Sequence, residues 1–282
     1  MKDVYANPDA LVDTGWLDAH LEDADIRVIE VDEDVTAYQK GHIPGSISWN
    51  WDADLRAELG RDFIDQAGLT TLLRSAGVGS QTTVVLYGGN SNWFAAYAYW
   101  LLRYLGFDSV TLLNGGRKRW ELESRLLTDE IPNFPEGDVD LAAVPVRSEI
   151  RVFRNQVLSR VGRVAFVDVR SPEEFRGELL APPHLPQEQA QVPGHIPGAA
   201  NIPWSKASNE DGTFRSADEL RSLYEGAGVK PEREVIAYCR IGERSSHTWF
   251  VLRELLGYPD VKNYDGSWTE YGSLVGEPVE KG

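Results

Sequence analysis

Two spacings of apolar residues take turns along this chain. Short unbroken apolar runs at Ile26 to Val31, Val164 to Val169 and Val235 to Tyr238 predict buried strands. From Thr82 to Phe107 such a run leads into apolar residues at helical spacing. Ser245 to Leu256 repeats that spacing and stops at Gly257, a natural helix C-cap. Arg151 to Val161 reads as a further apolar-periodic helix.

The elements come twice. Gly41-His42-Ile43-Pro44-Gly45 returns as Gly194-His195-Ile196-Pro197-Gly198, and each copy follows a strand-like run. Thr82 to Phe107 lines up with the stretch around Val235 to Tyr258, and Leu112 to Trp120 with Val261 to Tyr271. From the loop onward the offset is constant at 151 residues, so Tyr87 matches Tyr238 and Gly88 stands where the second half has Cys239. Each half reads strand, loop, helix, strand, loop, helix. That order predicts two α/β domains related by internal duplication, each a mostly parallel sheet flanked by helices. Pro, Gly and acidic residues gather between Ile131 and Ser148, which predicts domains over 1–135 and 149–282 joined by a linker at 136–148. The second half carries an insertion of about fifteen residues, 177–192, rich in Pro and Gln; it reads as a surface loop, either a flap or a tolerated excursion.

Composition narrows the function classes. The net charge of −16 argues against general nucleic-acid binding, and it requires any site for a small anion to concentrate its own positive charge. No run of about 18 apolar residues is present, so no membrane span is expected. A single cysteine implies no disulfide framework, and the first residues show no signal-peptide layout. A cytoplasmic protein, monomeric or weakly homo-oligomeric, is the expectation. Five scattered histidines and one cysteine offer no metal-ligand spacing, and no cofactor is expected.

The chemistry concentrates at Cys239. It lies where a predicted strand ends and a predicted helix begins, in the loop Cys239-Arg240-Ile241-Gly242-Glu243-Arg244. Loop N–H groups and the helix dipole can face the sulfur there, an environment that lowers a thiol pKa and supplies thiolate near neutral pH. Arg240 and Arg244 add local positive charge. His42 and His195 recur in both halves, including the half without the cysteine, and read as packed turn residues. His247, one turn into the helix, reads as exposed.

Two tandem α/β units with GHIPG in each, a C-terminal CRIGERSS loop and the ending NYDGSWTEYG resemble a two-domain rhodanese, a thiosulfate:cyanide sulfurtransferase of the actinobacterial type. The resemblance runs over nearly the whole chain. It implies that Cys239 accepts the sulfur and that Arg240, Ile241, Gly242, Glu243, Arg244 and Ser245 form the cradle around it. It also implies that Asp168 and Arg170 form an acidic–basic pair at the end of the neighbouring strand, and that Trp93 and Phe94 wall the pocket. Two positions depart from the vertebrate pattern. Glu174 stands where a substrate-binding arginine is found, leaving Arg176 as the nearest replacement, and Ile241 stands where a lysine is found.

The reaction this implies is ping-pong. The Cys239 thiolate attacks the outer sulfur of thiosulfate, sulfite leaves, and cyanide or a thiol takes the sulfur from the persulfide. Cys-based phosphatases and arsenate reductases share the fold but place an arginine six residues after the cysteine; Ser245 occupies that place here, and the shorter cradle fits one sulfur atom. A 3-mercaptopyruvate sulfurtransferase is a further alternative, although its loops carry small neutral residues where this chain has Arg240 and Ile241. A binding module without catalysis would resemble the first half, with its Gly88.

Overall fold

The computed structural model describes residues 4–181 and 189–282, and it divides into two compact units. The N-terminal unit comprises Asp9–Arg147 with Ser208–Phe214; the C-terminal unit comprises Ser148–Ala207, Arg215–Gly282 and the described residues before Asp9.

In the N-terminal unit five strands, β1 (Leu11–Val12), β2 (Ile26–Asp32), β3 (Ile47–Asn50), β4 (Thr83–Tyr87) and β5 (Val110–Leu113), form one sheet in the order β1-β5-β4-β2-β3. Every pair is parallel. In the C-terminal unit β6 (Ala165–Asp168), β7 (Ala200–Asn201), β8 (Val235–Tyr238) and β9 (Val261–Tyr264) are ordered β7-β6-β8-β9, again all parallel. Arg151 bridges Asn263 in parallel and supplies the edge that β1 supplies in the other unit. The predicted pair of α/β units with parallel sheets is therefore what the chain forms. The cause is visible in the central strands: β4, β5 and β8 are almost wholly apolar and buried on both faces, Thr83 and Thr111 being the polar exceptions, because helices cover each side.

Three features depart from the sequence reading. The predicted helix over 151–161 forms only at Arg154–Leu158. Before it, Val152 N–H donates to the Asn263 carbonyl and the Arg151 guanidinium pairs with Asp265 at 2.8 Å, which holds that stretch extended. The segment predicted as a linker is strapped onto the N-terminal unit up to Arg147. Gly137 N–H reaches Arg74 O at 2.9 Å, Arg74 Nε reaches Val139 O at 2.7 Å, and Val139 and Leu141 are buried. The units also do not follow a single cut. Ala6 and Asn7 N–H groups satisfy the Leu255 and Glu254 carbonyls at the end of the C-terminal unit's long helix, which leaves such carbonyls unpaired. Phe214 N–H donates to Asn114 Oδ1 in the N-terminal unit.

Of the predicted insertion, 182–188 lie outside the described residues. At its two ends Gly177 closes the helix Pro172–Arg176 in the left-handed region, and Val192 N–H bonds the Gly272 carbonyl. His42 and His195 are buried turn residues, stacked on Tyr38 and Phe175 with ring centroids 3.8 and 3.5 Å apart.

Candidate active site

Strand β8 delivers Cys239 to the C-terminal end of a parallel sheet, where the next helix starts. That helix runs over Glu243–Phe250 and continues as a π-helical turn, Val251–Leu255. Between strand and helix the backbone must reverse in four residues. Gly242 makes this possible: its φ is +100°, and a Cβ there would lie 2.5 Å from the Asp265 Cα.

The reversal brings backbone donors to the sulfur. Gly242 N–H donates to Cys239 Sγ at 3.1 Å. The loop is bolted from behind by residues of the strand–helix connection that follows β9. Cys239 N–H donates to Ser267 Oγ at 3.0 Å, Trp268 N–H to the Cys239 carbonyl, and Thr269 N–H to the Arg240 carbonyl. Asn263 is fully buried; it accepts the Ser245 hydroxyl at 2.6 Å and donates to the Gly242 carbonyl and to Ser246 Oγ. Sequence reasoning does not single out Ser267, Thr269 or Asn263. The repeat is the available signal, since all three fall in the stretch that matches Leu112 to Trp120.

Every residue of the helix Glu243–Phe250 is buried. This corrects the reading of His247 as exposed: the helix is enclosed on all sides, and Trp204 meets the His247 ring edge-on at 5.2 Å. The state of the thiol is also corrected. Burial pushes the Cys239 pKa up, and the Glu243 carboxylate, whose Oε2 lies 3.4 Å from Sγ, pushes it further. The Arg244 charge and the Ser245 and Gly242 N–H groups work in the opposite direction without prevailing. The resting sulfur is a thiol.

The arginines divide into three situations. Arg244 is buried and gripped by both oxygens of Glu174, at 2.9 and 3.0 Å. Burial works against both charges; for each, the partner outweighs it, so the Glu174 pKa is lowered and that of Arg244 raised. Glu174 is therefore the ionic partner of the loop's arginine, and at the same time it closes the capping box of the helix Pro172–Arg176 with Ser171. Arg170 is buried on Asp168, with Nη2 to Oδ2 at 2.6 Å, and also donates to the Gly194 carbonyl of the second GHIPG turn. Arg176 is partly exposed and held by Glu178 at 2.8 Å, a local surface pair. Arg240 is buried, with Nη2 3.9 Å from Glu243 Oε1, and Ile241 beside it is half-buried. In the N-terminal unit Trp93 and Phe94 open the helix Trp93–Tyr104 and stack on each other at 5.2 Å.

A deeply buried sulfur with an N–H donor at a helix start, a glutamate 3.4 Å away and two buried arginines in its loop is suited to carrying a sulfur atom as a persulfide anion. Known proteins point the same way. The family described as "Rhodanese-like domain" matches residues 13–123 and 154–274. A relative from Mycolicibacterium smegmatis, described as "Putative thiosulfate sulfurtransferase", is 55% identical over 277 residues, 98% of this chain and 99% of its own length. The "Sulfur carrier protein TtuD" of Thermus thermophilus is 53% identical, over 99% of each chain. Among solved structures, SseA of Escherichia coli, described in terms of 3-mercaptopyruvate sulfotransferases, superposes with a TM-score of 0.77 at 26% identity. The match covers 92% of this chain and 98% of that one.

Proposed function

Because the chain belongs to the rhodanese-like domain family, we propose that it is the sulfurtransferase that moves the sulfane sulfur of thiosulfate through a Cys239 persulfide to cyanide or a thiol, releasing sulfite. The sulfurtransferase class comes with the family; donor, acceptor and residue roles are our reading. The observation that carries it is the loop itself: an enclosed sulfur 3.1 Å from the Gly242 N–H at a helix start.

In the first half-reaction a Cys239 lone pair attacks the outer sulfur of the donor. A sulfur–sulfur bond forms, the donor's own sulfur–sulfur bond breaks, and its electron pair leaves with sulfite. The loop N–H groups face the negative charge on sulfur, as an oxyanion hole faces oxygen. Arg240 supplies the field for an anionic donor, while Arg244 is fixed in place and balanced by Glu174, which takes both of its N–H arms. Asp168 and Arg170 hold the second GHIPG turn against β6 and act on the site through the scaffold.

One observation favours a second donor. Glu174 cancels the Arg244 charge, which weakens the case for a dianion and improves it for a monoanion such as 3-mercaptopyruvate. Comparing single-turnover rates for the two donors separates them. The decisive measurement for the proposal is mass spectrometry after incubation with thiosulfate. One sulfur atom should appear on Cys239, leave as thiocyanate when cyanide is added, and fail to appear in Cys239→Ser. An unmodified Cys239 would overturn the mechanism.

A further inference from the structure

Four charged side chains are buried in or against the Cys239 loop: Arg240, Glu243 and Arg244 of the loop itself, and Glu174, which binds Arg244. Two positive and two negative charges cancel while the cysteine is a thiol. The pairs Arg170–Asp168 and Arg151–Asp265 on the flanking elements cancel in the same way. A thiolate made by releasing the proton to water would leave one uncompensated negative charge in a water-poor site, directly beside a carboxylate.

Glu243 offers a route that avoids this. Its Oε2 lies 3.4 Å from Sγ and accepts the thiol hydrogen, and its Oε1 is 3.9 Å from both Arg240 Nη2 and Arg244 Nε. The Ser245 hydroxyl is 3.7 Å from the sulfur, but its one hydrogen is engaged at 2.6 Å by Asn263 Oδ1. The N–H of Gly242 can only donate to the sulfur. Among these neighbours the carboxylate is the group able to receive the proton.

We propose that Glu243 is a catalytic residue that takes the Cys239 proton as the sulfur attacks and stores it for as long as sulfur is carried on the enzyme. The proposal rests on the persulfide reading of Cys239. The S–H bond breaks as an O–H bond forms on Glu243. The sulfur pair attacks the donor, the new sulfur–sulfur bond replaces the donor's, and sulfite leaves with the same charge that thiosulfate brought. The outer sulfur moves as a neutral atom, so no outside oxidant or reductant is consumed. The product is a persulfide anion beside a protonated Glu243, and the charges around the loop again sum to zero. When cyanide removes the outer sulfur as thiocyanate, the Cys239 thiolate takes its proton back from Glu243. Burial and Glu243 both push the Cys239 pKa up, and protonating the glutamate removes one of the two effects at the moment of attack.

Infrared difference spectroscopy on the full chain tests this. Loading wild-type protein with thiosulfate should produce the C=O band of a protonated carboxylic acid. The band should vanish on adding cyanide and should be absent in Glu243→Gln and Cys239→Ser. Mass spectrometry of the same samples reports whether sulfur is on Cys239. Sulfur on Cys239 without the band overturns the proton store while leaving the persulfide intact; no sulfur on Cys239 removes the persulfide reading and the proton store with it. Glu243→Gln gives a second readout. With the proton acceptor gone, the rate at which thiosulfate places sulfur on Cys239 should fall about a hundredfold. An unchanged loading rate in a variant with native circular dichroism also overturns the proposal. If that variant does not fold, the wild-type infrared measurement still decides.

Discussion

The two units share a sheet order and a buried ion pair but use their strand-to-helix loops in opposite ways. In each, a tyrosine at the end of the central strand, Tyr87 or Tyr238, receives an N–H from the GHIPG turn, Ile43 at 3.2 Å or Ile196 at 3.1 Å. In each, an acid on the neighbouring strand binds a buried arginine that also donates to the carbonyl of the first glycine of that turn: Glu30 and Arg117 with Gly41, Asp168 and Arg170 with Gly194. The arginines come from different places. By the repeat offset Arg117 falls opposite Trp268, and Arg170 lies over the Trp268 ring at 4.8 Å. One geometry has been kept with two wirings.

The loops differ in what their N–H groups face. In the C-terminal unit Gly242 N–H points at the sulfur. In the N-terminal unit side chains take that role: Gly88 N–H donates to Asn92 Oδ1 at 3.0 Å and Gly89 N–H to Asp32 Oδ2 at 2.8 Å. Asn90, Ser91 and Asn92 all adopt positive φ, a conformation that costs non-glycine residues about 1 kcal/mol or more each. A cradle whose donors are satisfied internally has none to offer an anion. Loss of the cysteine is thus one part of a wider closure of the first loop.

The shared ion pair gives the largest expected effect. Glu30, Arg117, Asp168 and Arg170 are all buried, and removing one member strands the other charge. Asp168→Ala and Glu30→Ala should each cost roughly 3–5 kcal/mol, read as lower urea midpoints, each in the transition of its own unit. A variant that loses less than about 1 kcal/mol would mean that its pair contributes little to the fold and that the likeness between the units is superficial.

A smaller effect tests whether the first loop can be reopened. A Cβ on Gly88 would sit 2.5 Å from the Val31 carbonyl oxygen, closer than packing permits. Gly88→Cys should therefore destabilise the N-terminal unit by about 1–3 kcal/mol, and mass spectrometry should find no thiosulfate sulfur on the introduced thiol. Sulfur transfer to that thiol would show that the missing atom alone separates the two loops.

Much of this is legible in the sequence, for identifiable reasons. Parallel strands covered on both faces must be apolar throughout, so Val235 to Tyr238 stands out as a run. Duplication exposes the loops, because Gly88 and Cys239 align without any structure. What stays hidden depends on pairing across long separations. In sequence Glu174 looks like a missing substrate arginine, yet it binds Arg244 seventy residues on. Arg117 gives no sign that it replaces the arginine at position 170, since its acid, Glu30, lies 87 residues away. The helical pattern alone leaves His247 exposed, and only the full enclosure of its helix reverses that. Local pattern fixes which face of an element is apolar; it does not say which distant charge will be buried opposite it.

The finest contrast lies in a single carboxyl. Asp32 holds the position that Arg170 holds in the other unit, so the first loop faces an acid where the second has a base nearby. Burial raises the Asp32 pKa to about 6; the Gly89 N–H opposes this, the Glu30 charge adds to it, and Arg117 lowers it again. The ordinary aspartate value is about 3.9. The folded protein therefore binds the Asp32 proton more tightly than the unfolded chain does. This contribution favours folding fully below about pH 4, and it is lost as pH rises from about 4 to about 6. Above that the ionised, buried carboxylate is a standing cost to the N-terminal unit. Asp32→Asn keeps an oxygen for Gly89 and cannot ionise. It should be more stable than wild type by about 1–2 kcal/mol at pH 7, with the gain shrinking towards pH 4, measured as urea midpoints across that range. The corresponding position in the C-terminal unit carries a base already paired with Asp168, and it should show no such gain. A pH-independent difference between Asp32→Asn and wild type would remove the carboxyl from the account of the closed loop and leave Asn92 as its principal latch.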